Sequence, residues 1–345
     1  MRTSLVDRQA IERLLLLVGA LRSGVIDALA SGEGLPAGRV AGLAGTDPRA
    51  TGIVLEALVA EELAERASGE HGDALYRLTR PARAHLVDDG PERERFELLH
   101  QVSKVSGWLD LHEVIRTGRA RDRGGVKRDL RTMVSAMGER EAAVLDEIVE
   151  LCFAYAGDIR TMLDVGGAVG HLARHFSRRG VRASLFDRPE VLPVAQEFLG
   201  AEADGIELFG GDLTAGLPDG PFDLVYFGNV LHIYSSETNV RVVSEAFTLT
   251  APGGTIAIQG YVAERSPVAA MFAVNMLRST DEGGVRNEAE HRRWLTEAGF
   301  RDVTLFDLDT DRTQLILARR PAGLSNPVGG QVRSSPEGRG AEVRG

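Results

Sequence analysis

The sequence predicts an α/β fold built on an open, mostly parallel sheet of seven strands. Three observations predict it. From Asp158 onward, short apolar runs alternate with helical stretches, the pattern of βαβ units. The run MLDVGGAVGHLARHFSRRG, Met162 to Gly180, passes from a strand through an acid, Asp164, into glycines backed by an amphipathic helix. Glycines at such a turn let a ligand approach bare backbone. A second acid, Asp187, closes the next strand about twenty residues further on, where a carboxylate can accept hydrogen bonds from ribose hydroxyls.

The seven strands are TMLDV, RASLF, IELFG, FDLVYF, GTIAIQGYV, VTLFDL and TQLILA, with helices after the glycine turn and from Pro189, Ser236 and Glu288. The last two strands, joined through an Asp-Thr-Asp turn, place an antiparallel strand at the end. Residues 1–90 read differently. Ile11, Leu14, Val18, Leu21, Val25 and Leu29 recur at helical spacing. Leu14 to Val18 is apolar without a break, so this helix buries more than one face, against a partner subunit or an internal helix. LPAGRVAGLAG and DPRATGIVLEALVAEEL follow as helices, the second capped by Asp47 with Pro48 at its first position. LAERASGEHGDALYRLT reads as a hairpin, and helix, turn, helix and hairpin together suggest a winged helix. Residues 91–157 read as mostly helical around a solvated, arginine-rich loop, RTGRARDRGGVKRD. Residues 158–320 hold the sheet, and residues 321–345, almost without large apolar side chains, read as a disordered tail.

With 43% hydrophobic and 26% charged residues over 345 positions, the chain has enough apolar side chain for a large core. A net charge of -10 argues against a broad nucleic-acid or anionic-membrane surface. The second helix of the winged-helix stretch carries Glu56, Glu61 and Glu62 against Arg49, the wrong sign for a DNA recognition helix. A structural or dimerising role is expected there instead. A single cysteine, Cys152, cannot form an internal disulfide or a thiolate cluster, which points to a reducing cytosol. The N-terminal apolar run is too short and too interrupted to span a bilayer, and it lacks the layout of a secretory signal. A cytoplasmic protein is expected, with neither nucleic acid nor membrane as partner.

The glycine turn reads as an adenosine site, whether for a nicotinamide dinucleotide or another adenosine compound. The dinucleotide fingerprint G-x-G-x-x-G fails, because Ala168 or Val169 stands at its third position, and no Gly-Lys-Ser/Thr is present. What fits is an acid two residues before the first glycine: Asp164, Gly166, Gly167 and Gly170. A third acid, Asp212 in ELFGGDLTAGLP, follows the third strand. Carboxylates around the turn would repel a pyrophosphate. His171 and His175, four apart, lack the acid of an H-E-x-x-H zinc motif and are expected on a solvated face. His232 and His291 could share a metal only if the fold joins them.

Strand, acidic tip, glycine turn and second acid, in that order, resemble class I S-adenosylmethionine-dependent methyltransferases. DVGGAVG, FDRPEVL, GDL, FDLVYFGNVLHIYS, NMLRSTDEGG and WLTEAGF follow in order behind an N-terminal winged helix. On these motifs the chain, up to about Arg320, looks like the O-methyltransferase family that includes caffeate and acetylserotonin methyltransferases, nearest its bacterial natural-product branch. The resemblance implies a Rossmann-like sheet and S-adenosyl-L-methionine as cofactor. It also implies a homodimer through the N-terminal domain and a small-molecule substrate, most directly a hydroxyl of an aromatic natural product. Carried onto this sequence, it sets Asp164, Gly166, Gly167 and Gly170 at the cofactor turn and Asp187 on the ribose. Asp212 and Leu213 surround the adenine, Gly228 follows the fourth strand, and Met137 faces the sulfonium. His232 becomes the general base, with Met276 and Asn275 in the acceptor pocket and Trp108, Phe96 and Phe272 as candidate aromatic walls.

The departures from that pattern are specific. Ala168 replaces the usual glycine and narrows the turn, and Gly228 stands where plant members carry a lysine. Gln259-Gly260 occupies the place of a carboxylate that would orient His232. Val285-Arg286-Asn287, one residue short of that pattern, supplies no other, which leaves Asp281, Glu282 or Glu288 as substitutes. A hydroxyl acceptor is helped by a base near pKa 7. These gaps keep C-methylating and non-methylating relatives on the same scaffold as alternatives, beside a nicotinamide-dependent oxidoreductase.

Overall fold

The computed structural model describes residues 7–69, 73–90, 93–120, 130–138 and 142–323. Asp7 caps helix α1 (Arg8–Arg22) by accepting from the Ala10 N–H. The helix expected to run from Ile11 to Leu29 is broken: Gly24 adopts φ +77, and α2 (Val25–Ala28) restarts beyond it. A left-handed residue cannot continue a right-handed helix, and the apolar spacing alone does not show the break. Helix α3 (Ala37–Ala44) ends at a left-handed Gly45, and Asp47 caps α4 (Pro48–Ala60) through the Ala50 N–H, with Pro48 in the first turn as predicted. The short strand β1 (Leu35–Pro36) joins the hairpin β2 (Ala64–Ser68) and β3 (Ala74–Leu78) in an antiparallel sheet ordered β1-β3-β2, followed by α5 (Arg80–Leu86). Leu21, Ile26, Val40, Leu55, Leu58 and Tyr76 meet in one core. Ile11 and Leu15 are left on the outside of α1, 53% and 49% exposed.

Helices α6 (Arg95–Ser103), α7 (Val105–Leu109), α8 (Leu111–Thr117), α9 (Leu130–Gly138) and α10 (Ala142–Ala156) account for the helical stretch that follows. Most of the arginine-rich loop and of the expected tail lies outside the described residues.

The large sheet contains β4 (Thr161–Val165), β5 (Arg182–Asp187), β6 (Ile206–Gly210), β7 (Phe222–Gly228), β8 (Thr250–Gly260), β9 (Arg301–Asp307) and β10 (Gln314–Arg319). Its order is β6-β5-β4-β7-β8-β10-β9, with the first five strands parallel. Successive side chains on a strand point to opposite faces. Met162, Leu224 and Tyr226 therefore enter the core under α10, α11 (His171–Arg178) and α12 (Leu192–Leu199). Leu163, Val165, Val225 and Phe227 enter the opposite core, with Val242 and Val243 of α13 (Ser236–Leu249). Helix α14 (Pro267–Ser279) packs against α7 and α8, while Trp294 and Leu295 of α15 (Glu288–Ala298) complete the second core. Helix α12 starts at Leu192 rather than at Pro189.

The antiparallel strand expected at the end lies one place further in. Strand β10 pairs with both β8 and β9 and leaves β9 at the edge. Leu315, Ile316, Leu317 and Ala318 are all buried, whereas Arg301 and Asp302 of β9 are exposed. A strand apolar on both faces belongs inside a sheet. From β4 the chain winds one way through β5 and β6, then the other way through β7 and β8. Ligands bind at the carboxyl ends of the strands where that direction reverses, here between the tips of β4 and β7.

Candidate active site

Strand β4 delivers Asp164, 2% exposed, to the floor of this crevice. Gly166 follows at φ +70, its N–H donating to the Phe186 carbonyl at 2.7 Å. A Cβ on Gly166 would come within 2.8 Å of Val230. Gly167 is closed from the other side: a Cβ there would lie 2.4 Å from the Asp164 carboxyl group and 2.5 Å from Leu185. Gly170, at φ +76, leads into α11. The backbone is bare because the neighbouring strand tips leave no room for side chains. Ala168 also has a positive φ, +52, and its N–H donates to Asp187 Oδ2 at 2.9 Å. The left-handed conformation costs a non-glycine residue about 1–2 kcal/mol. The alanine thus does more than narrow the turn: it sits strained, pinned by a carboxylate and packed against Val134 of α9 and Val191.

At the tip of β7, Asn229 takes φ +55. Its N–H donates to the Gln259 carbonyl at 2.8 Å, and its side-chain amide donates to Gln259 Oε1 at 2.9 Å. A short 3-10 turn, Leu231–Ile233, then presents His232. Asn239 of α13 donates to the Leu231 carbonyl at 3.0 Å. From the opposite side, the Gly284 N–H donates to the His232 carbonyl at 2.9 Å. A Cβ on Gly283 would lie within 2.5 Å of that same carbonyl oxygen. The imidazole stands edge-on to Phe272, with ring centroids 4.7 Å apart, and Phe272 packs on Tyr261 at 4.7 Å. Among the described residues, no carboxylate or other polar group hydrogen-bonds the ring nitrogens. Burial pushes the imidazole pKa down to about 4. A base near 7 is therefore not what the fold supplies, because nothing anionic offsets the desolvation.

A family model described as an O-methyltransferase domain matches residues 124–301. The tetracenomycin polyketide synthesis 8-O-methyl transferase TcmO of Streptomyces glaucescens is 30% identical over 311 residues, 85% of this chain and 89% of its own. The chain belongs to the O-methyltransferase family. The 3-amino-4-hydroxybenzoate 4-O-methyltransferase of Streptomyces cremeus is 29% identical over 330 residues, 87% of this chain and 86% of its own. Human N-acetylserotonin methyltransferase, solved in complex with S-adenosylmethionine, shares the fold with a TM-score of 0.72 at 23% identity, covering 92% of this chain and 99% of its own.

The family is S-adenosylmethionine-dependent, and the crevice of this O-methyltransferase fits that cofactor. Its turn offers bare backbone, and Asp164, Asp187 and Asp212 stand at or just past the tips of β4, β5 and β6, with Arg188 beside Asp187. Asp187 Oδ1 accepts from the Arg188 N–H at 2.7 Å, and burial pushes its carboxyl above the usual range. Asp212 is exposed and accepts the N–H and hydroxyl of Thr214, each at 2.8 Å, bonds that hold its carboxyl below the usual range. Leu213 is buried beside it. At Gly228 a Cβ would meet the Tyr226 ring at 2.6 Å, so the ring of Tyr226 fills the space a side chain would need. Met137 lies three residues beyond Val134 on α9 and is 50% exposed.

On α14, Met276 is buried, and Asn275 Oδ1 accepts from Arg278 at 2.5 Å. That guanidinium lies over Trp108 at 4.8 Å, whereas Phe96 lies under Arg93. Of the three candidate aromatic walls, Phe272 is the one in contact with His232. Of the candidate acids, Glu288 is engaged by Arg265 and Arg292, and Asp281 and Glu282 are exposed. The Gln259 amide donates to Thr313 at 2.6 Å. His171 and His175 are not on a solvated face: His171 packs on Phe198, and His175 pairs with Asp146 at 3.2 Å. His232 and His291 do line one cavity, but no group of three metal-ligating side chains occurs among the described residues. Sequence reasoning passed over Asn239, Tyr261 and Trp294. For the Gly283-Gly284 pair a signal existed, since paired glycines mark a close backbone approach.

Proposed function

We propose that this O-methyltransferase moves a methyl group from S-adenosylmethionine to a hydroxyl of an aromatic small molecule, with His232 accepting the hydroxyl proton. One observation carries this reading: Val230 packs on Gly166, and His232, two residues further along the chain, meets Phe272, which packs on Tyr261. A base flanked by ring faces and edges suits a phenol. The activities named for the two Streptomyces relatives, both transfers to oxygen, support it.

In this reading Gly166, Gly167 and Gly170 give the cofactor bare backbone above Asp164. Asp187 takes the ribose, Asp212 and Leu213 the adenine, Gly228 lies alongside, and Met137 closes the sulfonium end. Bound there, S-adenosylmethionine supplies an electrophilic methyl group. The chain's own task is alignment, which is a large part of the catalysis of an in-line displacement. Met276 and Asn275 wall the acceptor side. With its pKa held down to about 4, His232 is neutral at pH 7 and free to take a proton. It is too weak a base to ionise a phenol of pKa about 10 beforehand. The proton therefore leaves as the new C–O bond forms.

Residues 1–90 serve as a winged-helix dimerisation domain, with Ile11 and Leu15 facing the partner, and residues 91–157 wall the site of the catalytic domain, 158–320. The setting is secondary metabolism in the cytoplasm. No helix among the described residues is long and apolar enough to cross a membrane.

The test is His232→Ala. Calorimetry should find cofactor affinity kept within several-fold, while turnover of a phenolic acceptor falls about a hundredfold or more. An unchanged rate removes His232 as the base.

A further inference from the structure

Behind His232 lies a cavity of about 20 Å³, bordered by Asn239, Arg286, His291 and Trp294. A cavity needs roughly 10–15 Å³ to admit a water, and the water needs two to four polar partners. The partners are present. Asn239 Oδ1, Trp294 Nε1 and Arg286 Nε are buried and make no hydrogen bond in the structure. Buried polar groups are normally satisfied, so the Asn239 acceptor and the Trp294 donor on one small cavity call for an occupant. His291 Nδ1 lies 2.9 Å from the Asn287 carbonyl. A carbonyl can only accept, so Nδ1 carries the proton and Nε2 keeps its lone pair.

We infer that one water is bound in this cavity and that Asn239 and Trp294 act through it as positioning residues for His232. The water's two acceptor and two donor positions are all used, and Arg286 Nε, a further donor, stays outside the set. The water accepts from Trp294 Nε1–H and from the inward N–H of His232. It donates to Asn239 Oδ1 and to His291 Nε2. Fixing the inward nitrogen as a donor leaves the outward nitrogen with its lone pair toward the acceptor, which is the tautomer a base requires. The family place that would hold an orienting carboxylate is Gln259, whose amide is bonded to Asn229 and Thr313. A water fixes the tautomer without adding negative charge, and this agrees with the depressed pKa of the ring. The inference rests on His232 being the base.

The chain has two tryptophans, so ¹⁵N-tryptophan labelling of the full protein gives two indole N–H signals, and Trp294→Phe assigns them. The Trp294 signal should show magnetisation transfer to a long-lived water. In ¹⁵N-histidine-labelled protein, with His232→Ala as the assignment, the His232 ring nitrogens should report one tautomer. Trp294→Phe should move them toward an average while S-adenosylmethionine affinity by calorimetry stays within several-fold. A Trp294 indole without water contact, or a His232 tautomer unmoved by Trp294→Phe, overturns the inference. Where the variant does not fold, the wild-type water contact decides. Full turnover in His232→Ala would remove the base yet leave a detected water in place, so the two failures are distinct.

Discussion

The Ala168 N–H donates to Asp187 Oδ2 at 2.9 Å and ties the turn after β4 to the tip of β5. The bond holds a residue other than glycine at φ +52. One carboxylate thereby secures the turn, and in the proposed function it also takes the ribose.

The two tasks separate in a double-mutant cycle. Asp187→Ala leaves two backbone N–H groups without their acceptor and should cost about 1–3 kcal/mol of stability. Adding Ala168→Gly, which reaches the left-handed region without strain, should restore about 1 kcal/mol. It should restore none of the lost S-adenosylmethionine affinity. Urea denaturation and calorimetry on the four proteins read both quantities. Recovery of affinity together with stability would make Asp187 an anchor of the turn and nothing more.

Gly283 shapes the other side of the site. Its missing Cβ leaves room for the His232 and Ile233 carbonyls, and a methyl group there has no space. Gly283→Ala should push the loop off the His232 turn, and a displacement of about 1 Å at a reacting group can cost about a hundredfold in rate. None of the cofactor-turn contacts involves this loop, so calorimetric affinity should change little. Equal loss of affinity and rate would show the loop supporting the whole crevice instead of the base.

The sheet was legible because its inner strands are apolar on both faces and its strands are separated by clear turn signals. TMLDV and IELFG end in the structure where their patterns end. The inner position of β10 is legible too, in the unbroken QLILA run beside the mixed VTLFDL. The break at Gly24 was hidden, because one glycine within a helical spacing does not show its φ. At the site, the acids and glycines could be found because they are close in sequence. The missing carboxylate partner of His232 was readable from Gln259 and from Val285-Arg286-Asn287. That Gln259 clamps Asn229, and that Asn239, His291 and Trp294 converge behind His232, are facts of packing between α13, α15 and β8, which no local pattern encodes.

The depressed pKa of His232 has a sign that can be followed in both rate and stability. Because burial holds the imidazole near about 4 instead of 6.5, kcat/KM for a phenolic acceptor should stay level as pH falls through 6.5 and decline only toward about 4. The unfolded chain protonates this ring first, so it binds more protons than the folded state between those two values. Stability from this group is therefore complete above pH 6.5 and is lost on acidification toward about 4. His291, lowered mainly by burial, adds to that loss. Asp187, raised above 3.8 mainly by burial, opposes it, because its carboxyl protonates earlier in the folded state as pH falls. His232→Ala should consequently flatten the fall in urea-denaturation stability between pH 6.5 and 4 without removing it, since His291 remains. A rate limb near pH 7 in the wild type would mean that an anionic partner reaches the ring, and a neutral water could not then be what orients it.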